Sequence, residues 1–232
     1  DRPNPIGGVQ REGGLVQPGF ESFVSQLPTP IRHGLTLGEI ALLLQRQRYR
    51  SLELTVIRCR GWRRHQWLDH TGLPWVPPSP NMPALETAAL YPGLCLVEAT
   101  NLSEGRGTTR PLELFGAPDL EPGKLLGEMQ QLAPHWLQGC RLRECWFEPT
   151  FHKHKGELCA GIQIHLDHPG YDHQAFKPWR LMALAFKALR KMHPGYALWR
   201  DFAYEYETGR LAIWSRSPET TALSGGPSPA GT

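Results

Sequence analysis

Five of the eleven residues from Leu73 to Pro83 are proline. Each locks its own φ and lacks an amide proton, so the run is held extended and closed to helix. It divides the 232 residues unequally, and a domain boundary is expected at its start, giving segments 1–72 and 73–215. The chain holds 24 Gly and 22 Pro, so much of the backbone lies in turns and loops, where binding groups concentrate. A hydrophobic share of 40% still suffices for a core. The longest apolar helical run, Ile40–Leu44, falls far short of the roughly 20 residues that a membrane span needs. Lys and Arg total 25 against 22 Asp and Glu, too even a balance for a nucleic-acid-binding surface.

Local patterns then predict elements. Residues 1–34 read as extended loop. Thr36-Leu37-Gly38-Glu39 fits a capping box, and Ile40, Leu43 and Leu44 carry an apolar stripe to about Arg48. Leu52–Arg58 alternates as a strand, giving the helix-then-strand order of the closing unit of an α/β domain. After the prolines, Thr87–Tyr91 reads as a helical turn, Leu94–Ala99 as a buried strand, and Lys124–Ala133 as a helix. Arg141–Phe151 and Glu157–Leu166 are expected to be strands joined by a short turn at His152–Gly156. Pro178 opens a last helix, which Pro194-Gly195 stops. The fold class expected is α/β, with the C-terminal part of a Rossmann-like domain followed by a smaller mixed α+β domain. Residues 216–232, rich in Ser, Pro and Gly, are expected to be a disordered tail. Cysteines number five, and this odd count argues against a disulfide framework, leaving a Cys140–Cys145 bridge open.

Chemistry concentrates in Glu98–Thr109. Asn101, Ser103, Glu104, Arg106 and Thr108 surround two glycines there, on backbone that can approach a ligand closely. Such groups suit a sugar, and Arg106 suits a carboxylate. A polar turn satisfied by its own side chains is the alternative. Glu39 has a structural task as the last member of the capping box, with Arg32-His33 nearby as a second polar cluster. His152, His154, His165 and His168 offer nitrogens for zinc, against a solvated turn flanked by Lys153 and Lys155. Neither a phosphate-binding glycine loop nor a GxSxG elbow occurs.

Asp1–Gly8, Ser22-Phe23-Val24, Arg32–Glu39, Pro78–Pro83, Tyr91-Pro92-Gly93, Thr100–Thr109, Gly116-Ala117-Pro118 and Phe147–Gln163, taken in this order, resemble the NamZ-type exo-β-N-acetylmuramidases. The resemblance implies a glycoside hydrolase that releases N-acetylmuramic acid from the non-reducing ends of peptidoglycan fragments such as MurNAc–GlcNAc. It implies an extracytoplasmic setting. No cofactor and no metal are expected. The resemblance also implies an active site in the cleft between a Rossmann-like domain and the smaller one. The family's Glu-His-Gly motif, with its proposed catalytic glutamate, does not occur here, so the chain is expected to be a fragment with part of the machinery missing.

On this pattern Glu39 or Glu104 takes acid/base or sugar-orienting work. Arg106 or Arg32 takes the lactyl carboxylate, and Asn81, Asn101 and Gln163 bind hydroxyl or N-acetyl groups. His33, Ser79, Thr108 and Lys153, within the matching stretches, complete the sugar-binding set. A non-catalytic peptidoglycan-binding module is the alternative.

Overall fold

The computed structural model describes residues 1–16, 18, 21 and 24–200. The expected tail at 216–232 and the last part of segment 73–215 lie outside them. Helix α1, Leu37–Gln47, begins as the sequence predicts. The Thr36 side chain accepts from the Glu39 amide at 3.3 Å, and the Glu39 carboxylate accepts from the Thr36 amide at 3.0 Å. Asp1 reinforces this cap by accepting from the Gly38 amide at 2.8 Å.

The predicted strand at Leu52–Arg58 does not form. Its alternation is present, with Leu54 and Val56 half-buried and Ile57 exposed. No second strand lies beside it among the described residues, and a ladder needs two. The segment instead runs along α1, where Gln45 Nε2 donates to the Leu52 carbonyl at 2.6 Å.

Helix α2, Leu85–Leu94, is longer than the turn expected at Thr87–Tyr91. The apolar run after it is a 3-10 turn, Cys95–Ala99, rather than a strand. Periodicity alone does not separate a short buried run of either kind, and all five of its residues are buried. Helix α3, Pro122–Leu132, and helix α4, Pro178–Met192, each place a proline in the first turn, where its missing amide costs nothing. Helix α2 reaches α4 closely because Gly93 has no side chain: a Cβ there would stand 2.2 Å from the Pro178 carbonyl oxygen.

The sheet is three-stranded and antiparallel, with β1 (Leu114–Ala117) and β2 (Arg141–Phe147) flanking the central β3 (Cys159–His165). Strand β1, four buried residues without alternation, is not legible in the sequence. The core forms where β3 and the helices meet, around Leu90, Leu94, Phe115, Leu125, Met129, Ile162, Phe186 and Leu189. Ile162, Ile164 and Leu166, two residues apart along the chain, are buried on one face. Both hairpin strands stop short of their predicted inner ends. Strand β2 ends at Phe147 and β3 starts at Cys159, so residues 148–158 form a long folded loop. All five cysteines are free, so the Cys140–Cys145 bridge is absent.

The N-terminal segment is stitched to α4. Buried Arg32 pairs with Glu12 at 2.6 Å, while the other Glu12 oxygen accepts from the Trp179 amide at 3.2 Å. Gln10 Nε2 donates to the His173 carbonyl at 2.7 Å. The described residues contain no helix long and apolar enough to cross a membrane.

Candidate functional site

Loop 148–158 folds back onto the polar loop after the 3-10 turn. Gly107 is the landing point, its carbonyl accepting from the Thr150 amide at 3.0 Å and the Thr150 hydroxyl at 2.9 Å. At φ +85° its backbone is in the left-handed region, and a Cβ would meet the Phe151 nitrogen at 2.7 Å. His152 and His154 are left-handed too, at φ 71° and 55°. Each such non-glycine residue costs on the order of 1–3 kcal/mol, and this local strain recurs at functional sites.

That backbone carries His152 and Lys153 onto Glu104, which has no solvent exposure. Lys153 Nζ lies 2.7 Å from Oε2, while His152 Nδ1 and Arg106 Nε lie 3.2 and 3.0 Å from Oε1. Neither carboxylate oxygen receives a hydrogen bond of full directional geometry, so charge holds the cluster more than alignment does. Burial by itself would raise the Glu104 pKa. The contact from His152 and the charge of Lys153 outweigh it and hold the carboxyl at about 2. Burial is also the largest influence on Lys153 and lowers its pKa, with Glu104 opposing. The ammonium also donates to the Val97 and Thr100 carbonyls, 2.8 and 3.0 Å away at the end of the 3-10 turn. Such C-terminal carbonyls favour a cation.

Arg106 extends the cluster outward. Its Nη2 donates to Glu98 Oε1 at 2.6 Å. Burial lowers the Arg106 pKa, but the charge of Glu98 and then of Glu104 outweighs it, so the guanidinium is held more firmly charged. Glu98 in turn lines a cavity of about 400 Å³ between the N-terminal segment and α2. His33, Ile31 and Ile40 face it from one side, Tyr91 and Cys95 from the other. Burial lowers the His33 pKa.

Glu104, Arg106 and Lys153 are therefore brought together, and His33 shares the cavity with Glu98. Asn101 adjoins them, its carbonyl 2.7 Å from His154 Nε2 and its amide group donating to the Trp199 carbonyl at 3.4 Å. Thr108 closes a turn within its own loop, donating to the Gly105 carbonyl at 2.7 Å.

The other expected residues have separate engagements. Arg32 is a buried strut between Glu12, Gln10 and the Phe176 carbonyl. Glu39 is held by its cap and by Arg64. The Ser79 hydroxyl accepts from the Asn81 amide in the connector turn, and Gln163 pairs with Arg143 on the sheet. The histidines considered for zinc are dispersed: His165 faces Asp167 at 3.3 Å, and His168 accepts from the Gly170 amide. Glu98 opens the polar segment, but nothing local in the sequence marks it as the residue that faces the cavity.

Comparison with known proteins follows the same outline. Residues 89–224 match the C-terminal domain of the exo-beta-N-acetylmuramidase NamZ, and residues 1–86 match its N-terminal domain. The peptidoglycan beta-N-acetylmuramidase NamZ of Bacillus subtilis (strain 168) is 40% identical over 194 residues, which are 84% of this chain and 45% of that protein. A crystal structure of a DUF1343 family protein from Bacteroides fragilis NCTC 9343 superposes with a TM-score of 0.78 at 30% identity, over 97% of this chain and 55% of the other. A second protein of that family and strain gives 0.66 at 26% identity, over 98% and 57%. The chain thus spans about half the length of the relatives it matches. Matched along nearly its whole described length, the chain belongs to the NamZ exo-β-N-acetylmuramidase family.

Proposed function

We propose that this chain forms one wall of a glycoside hydrolase site that releases N-acetylmuramic acid from the non-reducing ends of peptidoglycan fragments, outside the cytoplasm. The observation that carries this reading is the relay from the cavity inward, Glu98 to Arg106 to Glu104 to Lys153. Two carboxylates held beside three basic groups keep charge fixed next to a hollow of sugar size, and such preorganised charge stabilises a transition state.

Glu98 is the carboxylate that faces substrate. Glu104, sealed and ionised at neutral pH, has no proton to give there, so it is a positioning residue that fixes Arg106 and Lys153. Glycoside hydrolysis uses two carboxyl groups across the bond. Glu98 is the one carboxylate among the described residues lining this cavity. Segment 1–72 on this reading closes a Rossmann-like domain.

The test is release of free N-acetylmuramic acid from a MurNAc–GlcNAc disaccharide. Glu98→Gln is expected to lower turnover about 100-fold, the scale of a lost acid/base group. Disaccharide binding without any release supports a binding module instead. Wild-type turnover in Glu98→Gln overturns the assignment.

A further inference from the structure

Away from this cavity, the 3-10 turn Leu68–Thr71 faces the loop that leads into α4. Asp69, His70 and His173 each offer one ligand atom there, and these three atoms lie within 4.8 Å of one another. Asp69 Oδ2 stands 3.8 Å from His173 Nε2. That gap is too long for a hydrogen bond. It is close to the roughly 3.3 Å separating two ligands that each bind zinc at about 2.0–2.1 Å in a tetrahedron.

The His173 ring is already held as a ligating imidazole would be. It stacks on Trp67 with centroids 3.8 Å apart, and its Nδ1 contacts the Tyr171 hydroxyl at 3.1 Å, which leaves Nε2 directed at Asp69. Such a partner on the second nitrogen fixes the tautomer in metal sites. Asp69 and His70 come preset by their shared turn, the His70 amide donating to Asp69 Oδ1 at 3.0 Å and leaving Oδ2 for a cation. Ligation by either nitrogen of His70 replaces the long 3.3 Å contact from the Trp67 amide, a small loss. Asp69 and His70 are exposed, so their side chains can close the remaining distance and water can take the fourth position.

We propose that Asp69, His70 and His173 form a zinc site that staples the N-terminal segment to the loop before α4. Two imidazoles and a carboxylate favour zinc over magnesium or calcium, which prefer oxygen alone. The site lies where Gln10 already ties to the His173 carbonyl, so the metal reinforces an existing seam.

The experiment titrates ZnCl₂ into the metal-free 232-residue chain by calorimetry, with thermal melts alongside. One equivalent is expected to bind and to raise the melting midpoint. His70→Ala and the double variant Asp69→Asn/His70→Ala, both changing exposed groups, are expected to melt like wild type without zinc. They should bind zinc at least about tenfold more weakly and lose the zinc-dependent rise, one to two ligands being removed. Absence of uptake by the wild type overturns the site. So does equal uptake by the double variant, which would move the metal to other histidines.

Discussion

Lys153 Nζ stands 2.7 Å from Glu104 Oε2 while it also donates to the Val97 and Thr100 carbonyls. One ammonium therefore ties a buried carboxylate to the end of the 3-10 turn. Removing either partner strands the other's charge, at about 3–5 kcal/mol for a buried pair. Glu104→Gln and Lys153→Met are each expected to lose that much in urea denaturation. The double variant should lose at least about 1 kcal/mol less than the sum, as coupled neighbours do. Additive losses would show that the two groups do not act as a pair.

Acid should act on the same carboxyl. Its folded pKa, about 2, lies below the ordinary 4.5, so the charged form is favoured by folding. The stabilisation is complete above pH 4.5 and is lost as pH falls toward 2. Its size is about 3 kcal/mol on the linkage relation. Denaturation midpoints measured across that interval should fall in the wild type and flatten in Glu104→Gln. An equal slope in both proteins would place the titration elsewhere.

The loops of this site were more legible as composition than as geometry. Glu104, Arg106 and Lys153 stand out in the sequence as ligand-capable residues, and two of the three sit in one short segment. What joins the third to them is the long-range contact between Thr150 and Gly107, made by a left-handed backbone at His152 and His154 that no local propensity announces. The capping box at Thr36–Glu39 and the proline starts of α3 and α4 depend on neighbours in sequence, and could be read there. Leu52–Arg58 and Leu94–Ala99 could not, because a strand is decided by its partner and a short buried run fits either state. The buried engagement of Arg32 is illegible for the same reason: its partners, Glu12 and the Phe176 carbonyl, are remote in the chain.

Gly107 should be far less replaceable than Gly156. Both have positive φ, at +85° and +74°, but an added methyl at Gly107 meets the Phe151 nitrogen at 2.7 Å whereas Gly156 faces open space. Gly156→Ala is expected to cost about 1 kcal/mol, the left-handed penalty alone. Gly107→Ala should cost at least about twice that and weaken disaccharide binding, since it pushes Lys153's loop off its seat. Equal losses in the two variants would mean that the hairpin can shift without consequence.

Glu39 offers a separation of cap from chemistry. Gln at this position keeps the oxygen that accepts from the Thr36 amide and loses only the charge facing Arg64. An exposed pair of this kind contributes under about 1 kcal/mol, so Glu39→Gln should melt almost like the wild type. Its turnover on the disaccharide should also stay within about twofold, because no reacting proton depends on it. A loss as large as that expected of Glu98→Gln would return Glu39 to the catalytic set.

Arg32 and Arg106 should part company under the same substitution. Arg32 is 2% exposed and has Glu12, Gln10 and the Phe176 carbonyl around it, so Arg32→Met leaves Glu12 charged, buried and uncompensated. A loss of about 3–5 kcal/mol is expected, and Glu12→Gln added to it should recover part of that. Disaccharide affinity of the folded fraction should be unchanged, since Arg32 does not line the cavity. Arg106→Met removes the group that holds Glu98 in place, and affinity should fall about tenfold or more, the scale of a charge-assisted bond. Calorimetry on both variants beside urea melts separates the two roles. A fall in affinity for Arg32→Met matching that of Arg106→Met would put the first guanidinium in contact with the sugar after all.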